Sequence, residues 1–278
     1  MASKSIKASD KAQVCRKLVS AIHKLYGKPT AKLDLPVLET MLFAVCLEDN
    51  AWQDAETGYQ KLYAEFFDLN DVRVSSVSEL EAVLEPLRFA DWKGLRLKSI
   101  LRHVFESTYA FEFEKLRRLN ADSAVRALKK IDDITPFIRD FTLYHALGNH
   151  VVYLDPSMLS AAVWLGLVPP STKVSDASDA LKSAVRKQDV FEFCLALRCV
   201  ATDPQHIERL AEAPEEELTI LDAPDRLVEL QSPPKRKKKK AAEPEDASRS
   251  KPRATAKSTA KKTAAKKATG TRTVAKKK

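Results

Sequence analysis

The chain has 278 residues, of which 44% are hydrophobic, with 47 Lys/Arg against 38 Asp/Glu and a formal net charge of +9. That is enough apolar material for one large or two small folded domains and excludes a chain disordered throughout. No apolar run approaches the roughly 18 residues a membrane span needs, and the opening MASKSIKASDKAQ has no apolar signal core behind its lysines. An intracellular, soluble monomer with no membrane partner is expected, in a bacterial cytoplasm or nucleoid, or in a nucleus. The four cysteines, Cys15, Cys46, Cys194 and Cys199, form no CxxC pair and lack a His partner at ligand spacing. They read as small buried thiols, with neither a zinc site nor a disulfide framework. The six glycines build no phosphate-cradling loop and the five histidines no HExxH.

In chain order, residues 1–8 read as a flexible N-terminus, 9–210 as a helical domain, 211–234 as an acidic, proline-bearing linker and 235–278 as a disordered tail. Within the domain, apolar residues recur at three- and four-residue spacing and strand-like alternation is nearly absent, so the fold class is all-α. Ser78 with Glu81 offers a capping box, and Pro86 falls near that helix's end. Leu97, Ile100, Leu101, Val104 and Phe105 form an apolar stripe on a helix whose other faces carry Lys93, Arg96, Lys98 and Arg102. Asn120 or Asp122 can cap the next helix, which runs through Val125 and Leu128 to Lys130. A further helix over about 141–147 would stop near Gly148, and Asp155-Pro156 supplies an N-cap and first-turn proline for another. Trp52, Trp92 and Trp164 sit among apolar neighbours and read as core.

The charge is unevenly distributed. Residues 235–278 hold 18 Lys/Arg against Glu243, Glu245 and Asp246, a net of +15, which leaves the rest with 29 basic and 35 acidic residues, a net of −6. The tail has one bulky apolar residue, Val274, so nothing offsets the entropy of ordering it. Lys235, Arg236, Lys237, Lys238, Lys239, Lys240, Lys261, Lys262, Lys266, Lys267, Lys276, Lys277 and Lys278 are its candidate phosphate contacts. Such contacts release counterions and bind without regard to sequence. Duplex DNA is the expected partner, with RNA as an alternative polyanion. PKRKKKK at 234–240 also has the form of a nuclear localisation signal, which accounts for seven residues of a much longer basic run. By composition the tail resembles those of linker histones.

Over roughly residues 35–203 the chain resembles the helix-hairpin-helix DNA glycosylases typified by endonuclease III. LETMLFAVCLEDNAWQDAETGYQKLY is similar to that family's first core helix, DNA-facing loop and next helix, and LRFADWKGLRLKSILRHVFE to its turn and basic helix. IDDITPFIRDFTLYHALGNHVVYLD is similar to its hairpin, the following helix and the stretch that ends in the catalytic aspartate. The resemblance implies a two-lobed helical domain in which Asp155 is the catalytic carboxylate; the alternative is that Asp155 is a helix cap alone. It implies that Phe89 is a base-stack wedge, against a core phenylalanine, and that Asn50 is a gap-filling residue, against a turn or cap. Lys93 and Arg96, on the basic helix, are the remaining candidate DNA contacts.

The departures are equally specific. The family hairpin has the form LPGVG, whose glycines admit a phosphate; here Ile131-Asp132-Asp133-Ile134-Thr135 brings two carboxylates. The lysine that bifunctional members place just beyond the hairpin is replaced by Phe137, and the cysteines of the family's iron–sulfur loop are missing. No metal or cofactor is expected. The reading is a DNA-binding protein related to base-excision repair, with at most monofunctional glycosylase activity; the alternative is a catalytically inert, histone-like architectural protein. A protein-interaction module localised by its tail is a third class.

Overall fold

A computed structural model describes residues 7–28, 31, 33–214 and 218–232. The tail, with every lysine and arginine singled out in it, lies outside the described residues, as do residues 1–6.

The described residues form α-helices joined by short turns, with no strand among them, which agrees with the all-α expectation. In order they are α1 (Ala8–Tyr26), α2 (Val37–Leu47), α3 (Trp52–Glu65), α4 (Leu69–Val74), α5 (Val77–Leu84), α6 (Ala90–Thr108) and α7 (Ala121–Leu128). Then follow α8 (Pro136–His145), α9 (Pro156–Trp164), α10 (Val174–Lys182), α11 (Val190–Thr202), α12 (Ile207–Ala211) and α13 (Ala223–Gln231). No helix among the described residues is long and apolar enough to cross a membrane.

Two lobes follow from which helices pack together. α2 is apolar on nearly every face and sits at the centre of the first lobe, against α3, α6 and α8. α6 covers α2, α4 and α5 with the predicted stripe, of which Leu97, Ile100, Leu101 and Val104 are buried. In the second lobe α11 packs on α1 and α9, and α13 closes over α1. The chain therefore starts in the second lobe, builds the first, and returns.

Local signals explain the helix limits. Thr135 caps α8, accepting from Ile138 N at 3.2 Å, and Pro136 opens it, so this helix begins earlier than the apolar pattern at 141 indicated. Past its end Gly148 takes φ 67°, with Asn149 N bonded to Leu143 O and Gly148 N to Tyr144 O, so the helix ends on a left-handed glycine. Asn120 caps α7 through Ser123 N. The capping box of α5 is Ser76 with Glu79, two residues before the expected Ser78 and Glu81, because Leu80 and Leu84 must both reach the core and place Ser78 inside the helix.

The expected linker 211–234 is largely folded. Ile220, Ala223, Leu227 and Leu230 are buried on a helical face, and Pro224 lies in the first turn of α13. Arg209 donates to Leu230 O (2.5 Å), Ser232 O (2.7 Å) and Glu229 O (3.1 Å), placing a cation on the open carbonyls of the helix end. Arg226 stacks over the Trp164 ring at 3.9 Å and ties α13 to the end of α9. The acidic run had masked this short apolar repeat. Leu227→Ala should lower unfolding free energy by about 2–5 kcal/mol, the usual cost of emptying a buried leucine site. A urea titration unchanged by this substitution would return 218–232 to linker status.

Candidate active site in the cleft between the lobes

The starts of four helices line one cleft of about 390 Å³. Phe89, Trp92 and Arg96 come from α6 and the residue before it; Thr135, Pro136 and Phe137 from the α8 start; Leu154 and Pro156 from the α9 start; Val174 opens α10. Glu48 and Asp49, directly after α2, complete the wall. Helix N-termini present unpaired N–H groups and partial positive charge, so anionic groups are favoured at such a junction.

Asp155 caps α9 and is fully buried. Its Oδ1 accepts from Met158 N at 2.8 Å; its Oδ2 accepts from Asp49 N at 3.0 Å and lies 2.8 Å from Arg198 Nη1. Both oxygens are engaged inside the protein, and the cleft is lined by its neighbours Leu154 and Pro156. Arg198, itself 2% exposed, also donates to Leu47 O (2.8 Å) and Asn50 O (2.9 Å).

Asp49 holds the opposite arrangement. Its backbone is left-handed, φ 60°, a conformation that Asp tolerates better than most residues. Its Oδ1 accepts from Ser157 N (2.9 Å) and Ser157 Oγ (2.7 Å), the next free donor of the α9 start. Glu48 pairs with Arg96 at 2.6 Å; burial pushes its carboxyl up, opposed by Arg96 and a bond from Thr135.

The other candidates separate. Phe89 is 52% exposed at the cleft lip, held at φ 58°, and is no core residue. Trp92, expected in the core, is likewise 52% exposed and forms the adjacent wall; an aromatic in the first turn of a helix that starts at a cleft was the signal available for it. Lys93 does not face solvent: it is 1% exposed, and its Nζ donates to Val45 O and Glu48 O, both at 2.7 Å, closing the end of α2. It is therefore corrected from a DNA contact to an internal cap. Asn50 is corrected similarly, since its amide donates to Glu48 O (2.7 Å) and Cys46 O (3.3 Å) and accepts from Arg88 N (2.9 Å), leaving nothing to fill a gap in a duplex. Arg96 lines the cleft but is committed to Glu48.

The hairpin between α7 and α8 keeps its turn without glycine. Asp133 takes φ 60°, and its carboxylate accepts from Ser99 Oγ at 3.1 Å; Asp132 lies 3.5 Å from Arg102. Both acids are thereby tied back to α6. Phe137 is buried with the Arg198 guanidinium 5.0 Å above its ring.

The body has the helix-hairpin-helix DNA glycosylase fold. It is similar to endonuclease III in a trapped covalent DNA intermediate, with TM-score 0.52 and 14% identity over 71% of this chain and 91% of that one. It is similar also to endonuclease III in a non-covalent DNA complex, with TM-score 0.53 and 14% identity over 78% and 98%. A third match is the Clostridium acetobutylicum 8-oxoguanine glycosylase/lyase with double-stranded DNA, at TM-score 0.52 and 12% identity over 70% of each chain. No family model and no curated protein matches the sequence. The glycosylase fold accounts for the order hairpin, α8, buried aspartate, α9 and for the cleft between the lobes.

Two consequences can be measured. Asp155→Asn, which a cap alone would tolerate, should cost about 3–5 kcal/mol, because it removes the charge that partners buried Arg198; near-wild-type unfolding would show the ion pair to be dispensable. Burial lowers the Lys93 pKa to about 8 from 10.5. The folded state then binds fewer protons than the unfolded one between those values, so the cost of burying the charge is relieved as pH rises. Wild type should gain stability relative to Lys93→Met between pH 8 and 10; a constant difference across that range would contradict the buried charge.

Proposed function

We propose that this protein is a monofunctional DNA glycosylase whose basic tail supplies most of its affinity for duplex DNA. The carrying observation is the cleft: a space of ligand-binding size, with Phe89 and Trp92 exposed at its mouth and carboxylates in its wall, at the interlobe position of a glycosylase fold. Enzymes that act on a base extrude it from the stack, and exposed aromatics suit both filling the vacancy and stacking the extruded base. A Schiff-base route lacks its amine, since Phe137 takes the place of the expected lysine and Lys93 Nζ is held between two carbonyls. Hydrolysis by water remains, with the sugar's developing positive charge facing a carboxylate.

The acidic hairpin and the body's net charge of −6 favour the tail as the source of affinity. They also sustain the second reading, an architectural protein that keeps the glycosylase shape without turnover. A strand-cleavage screen over duplexes carrying deaminated, alkylated, oxidised and mismatched bases separates the two. Excision of one class, followed by alkali-dependent nicking and no borohydride-trapped adduct, is the expected result. No excision on any duplex would select the architectural reading, and a trapped adduct would exclude the monofunctional mechanism.

Removing 235–278 should abolish most DNA binding. If the tail meets roughly 6–10 phosphates, full-length affinity should fall about a thousandfold or more between 50 and 200 mM salt. Unchanged binding after truncation would place the DNA-binding surface on the body, and equal competition by RNA would mark a general polyanion binder.

A further inference from the structure

Resting on the glycosylase reading, we propose that Asp49 is the catalytic carboxylate of the cleft, with Asp155 and Ser157 as its positioning residues. Asp155 has the family's place in the chain but not the access. It is fully enclosed, and the α9 cap, the Asp49 N–H and Arg198 occupy its two oxygens. A sugar cation could reach it only after that ion pair separated, which would leave Arg198 charged and unpaired in the interior.

Asp49 is next to it and open to the cleft. Its Oδ1 is clamped by the N–H and the hydroxyl of Ser157, while its Oδ2 takes no hydrogen bond among the described residues. Among the described residues Ser178 Oγ is the one fully buried side-chain polar atom without a partner, so Asp49 Oδ2, which also has none, is not sealed in; it opens on the cleft that Asp49 lines. The Asp49 N–H is held by Asp155 Oδ2, so the aspartate at the family position fixes the backbone that carries the working one. The left-handed backbone at φ 60° fits this reading, because residues kept in sparsely populated conformations by their surroundings cluster at functional sites. Three anchors on one residue, with one oxygen left over, is how a reacting group is held in place.

The step is hydrolytic and needs only water. The C1′–N bond breaks and its electron pair leaves on the base; the water oxygen bonds to C1′ while one of its protons passes to Asp49 Oδ2; solvent protonates the departing base. Before attack, the same oxygen faces the positive charge on the sugar.

The test uses the full chain and two duplexes of one sequence, one with an uncharged tetrahydrofuran abasic site and one with a cationic pyrrolidine in its place. The tail's contribution is common to both and cancels in the ratio. Wild type should prefer the pyrrolidine duplex by about tenfold or more, as expected of a charge pair in a partly dry cleft. Asp49→Asn should erase that preference, leave tetrahydrofuran binding unchanged and unfold near the wild-type temperature, since Asn also tolerates the left-handed conformation and can accept from Ser157. On any lesion that wild type excises, Asp49→Asn should lose about a hundredfold or more in rate. Asp155→Asn should instead unfold at lower temperature and, held below its transition, show a pyrrolidine preference that is reduced but not erased, because Asp49 keeps its charge and its Ser157 clamp while losing the anchor on its N–H. A preference retained in Asp49→Asn, or absent from wild type, overturns the assignment. A preference that Asp49→Asn abolishes, with no excision on any duplex, would uphold Asp49 as the cation-facing group and defeat only the turnover claimed for the protein.

Discussion

The cleft depends on one buried guanidinium. Arg198 reaches from α11 in the second lobe to the end of α2 in the first, where it meets Leu47 O and Asn50 O, and on the way it pairs with Asp155 and lies over Phe137. Taking that charge out of water costs several kcal/mol, and the surroundings must return it through every donor. They do so with segments distant in sequence: the α2–α3 loop, the start of α9 and the first turn of α8. Lys93 repeats the device from α6, closing Val45 O and Glu48 O. The carbonyl end of α2, the negative pole of the most buried helix, therefore meets two interior cations from opposite lobes. The loop bearing Glu48, Asp49 and Asn50 has little freedom left.

That arrangement explains which parts were legible in the sequence. The Leu97 to Val104 stripe, the Asp155-Pro156 start and the Gly148 stop are local patterns, and each appears where its chemistry placed it. The ordering of hairpin, helix and aspartate identified the fold even though Asp132 and Asp133 replace the usual turn residues. Lys93 was misread because a lysine on a helix is ordinarily a solvent residue; only the fold brings it to the carbonyls of Val45 and Glu48, 48 and 45 residues away in sequence. Asn50 was misread for the reverse reason, since its side chain is spent on its own loop and on Arg88 N. Trp92 reads as core by residue type, but helical phase decides exposure, and α6 turns that position toward the cleft. Arg198 carried no local signal at all: an arginine within an apolar helix becomes meaningful only when its partners are known.

Backbone strain is distributed in the same way. Of the four non-glycine residues with positive φ among the described residues, Asp49 and Phe89 line the cleft and Asp133 turns the hairpin that delivers Thr135 to it. Phe89 gains no local hydrogen bond to offset its conformation, as Asp and Asn do. Packing must hold it, and the result is an aromatic ring projected outward from the first residue of a helix start. A left-handed phenylalanine kept in the open is a poor choice for stability alone. Its position beside Trp92 gives the strain a use, in two aromatic faces at the mouth of a space whose inner wall is acidic.

The distribution of charge then constrains how such a cleft could meet DNA. A body with a net charge of −6 and a hairpin bearing two carboxylates gains little from the phosphate backbone, and over a Debye length of about 8–10 Å it is repelled by it. A helix-hairpin-helix normally does that work with glycine-rich backbone donors, and here Asp132 and Asp133 are bonded back to Arg102 and Ser99 instead. Affinity and recognition are consequently assigned to different parts of the proposed enzyme. On that proposal the +15 tail would supply an attraction indifferent to sequence and to damage, and the body would contribute whatever discriminates one nucleotide from its neighbours. Weak intrinsic binding by the body is then an advantage. An undamaged base that failed to enter the cleft would leave the body unattached while the tail kept the duplex near, so release from normal sites would not require release from DNA.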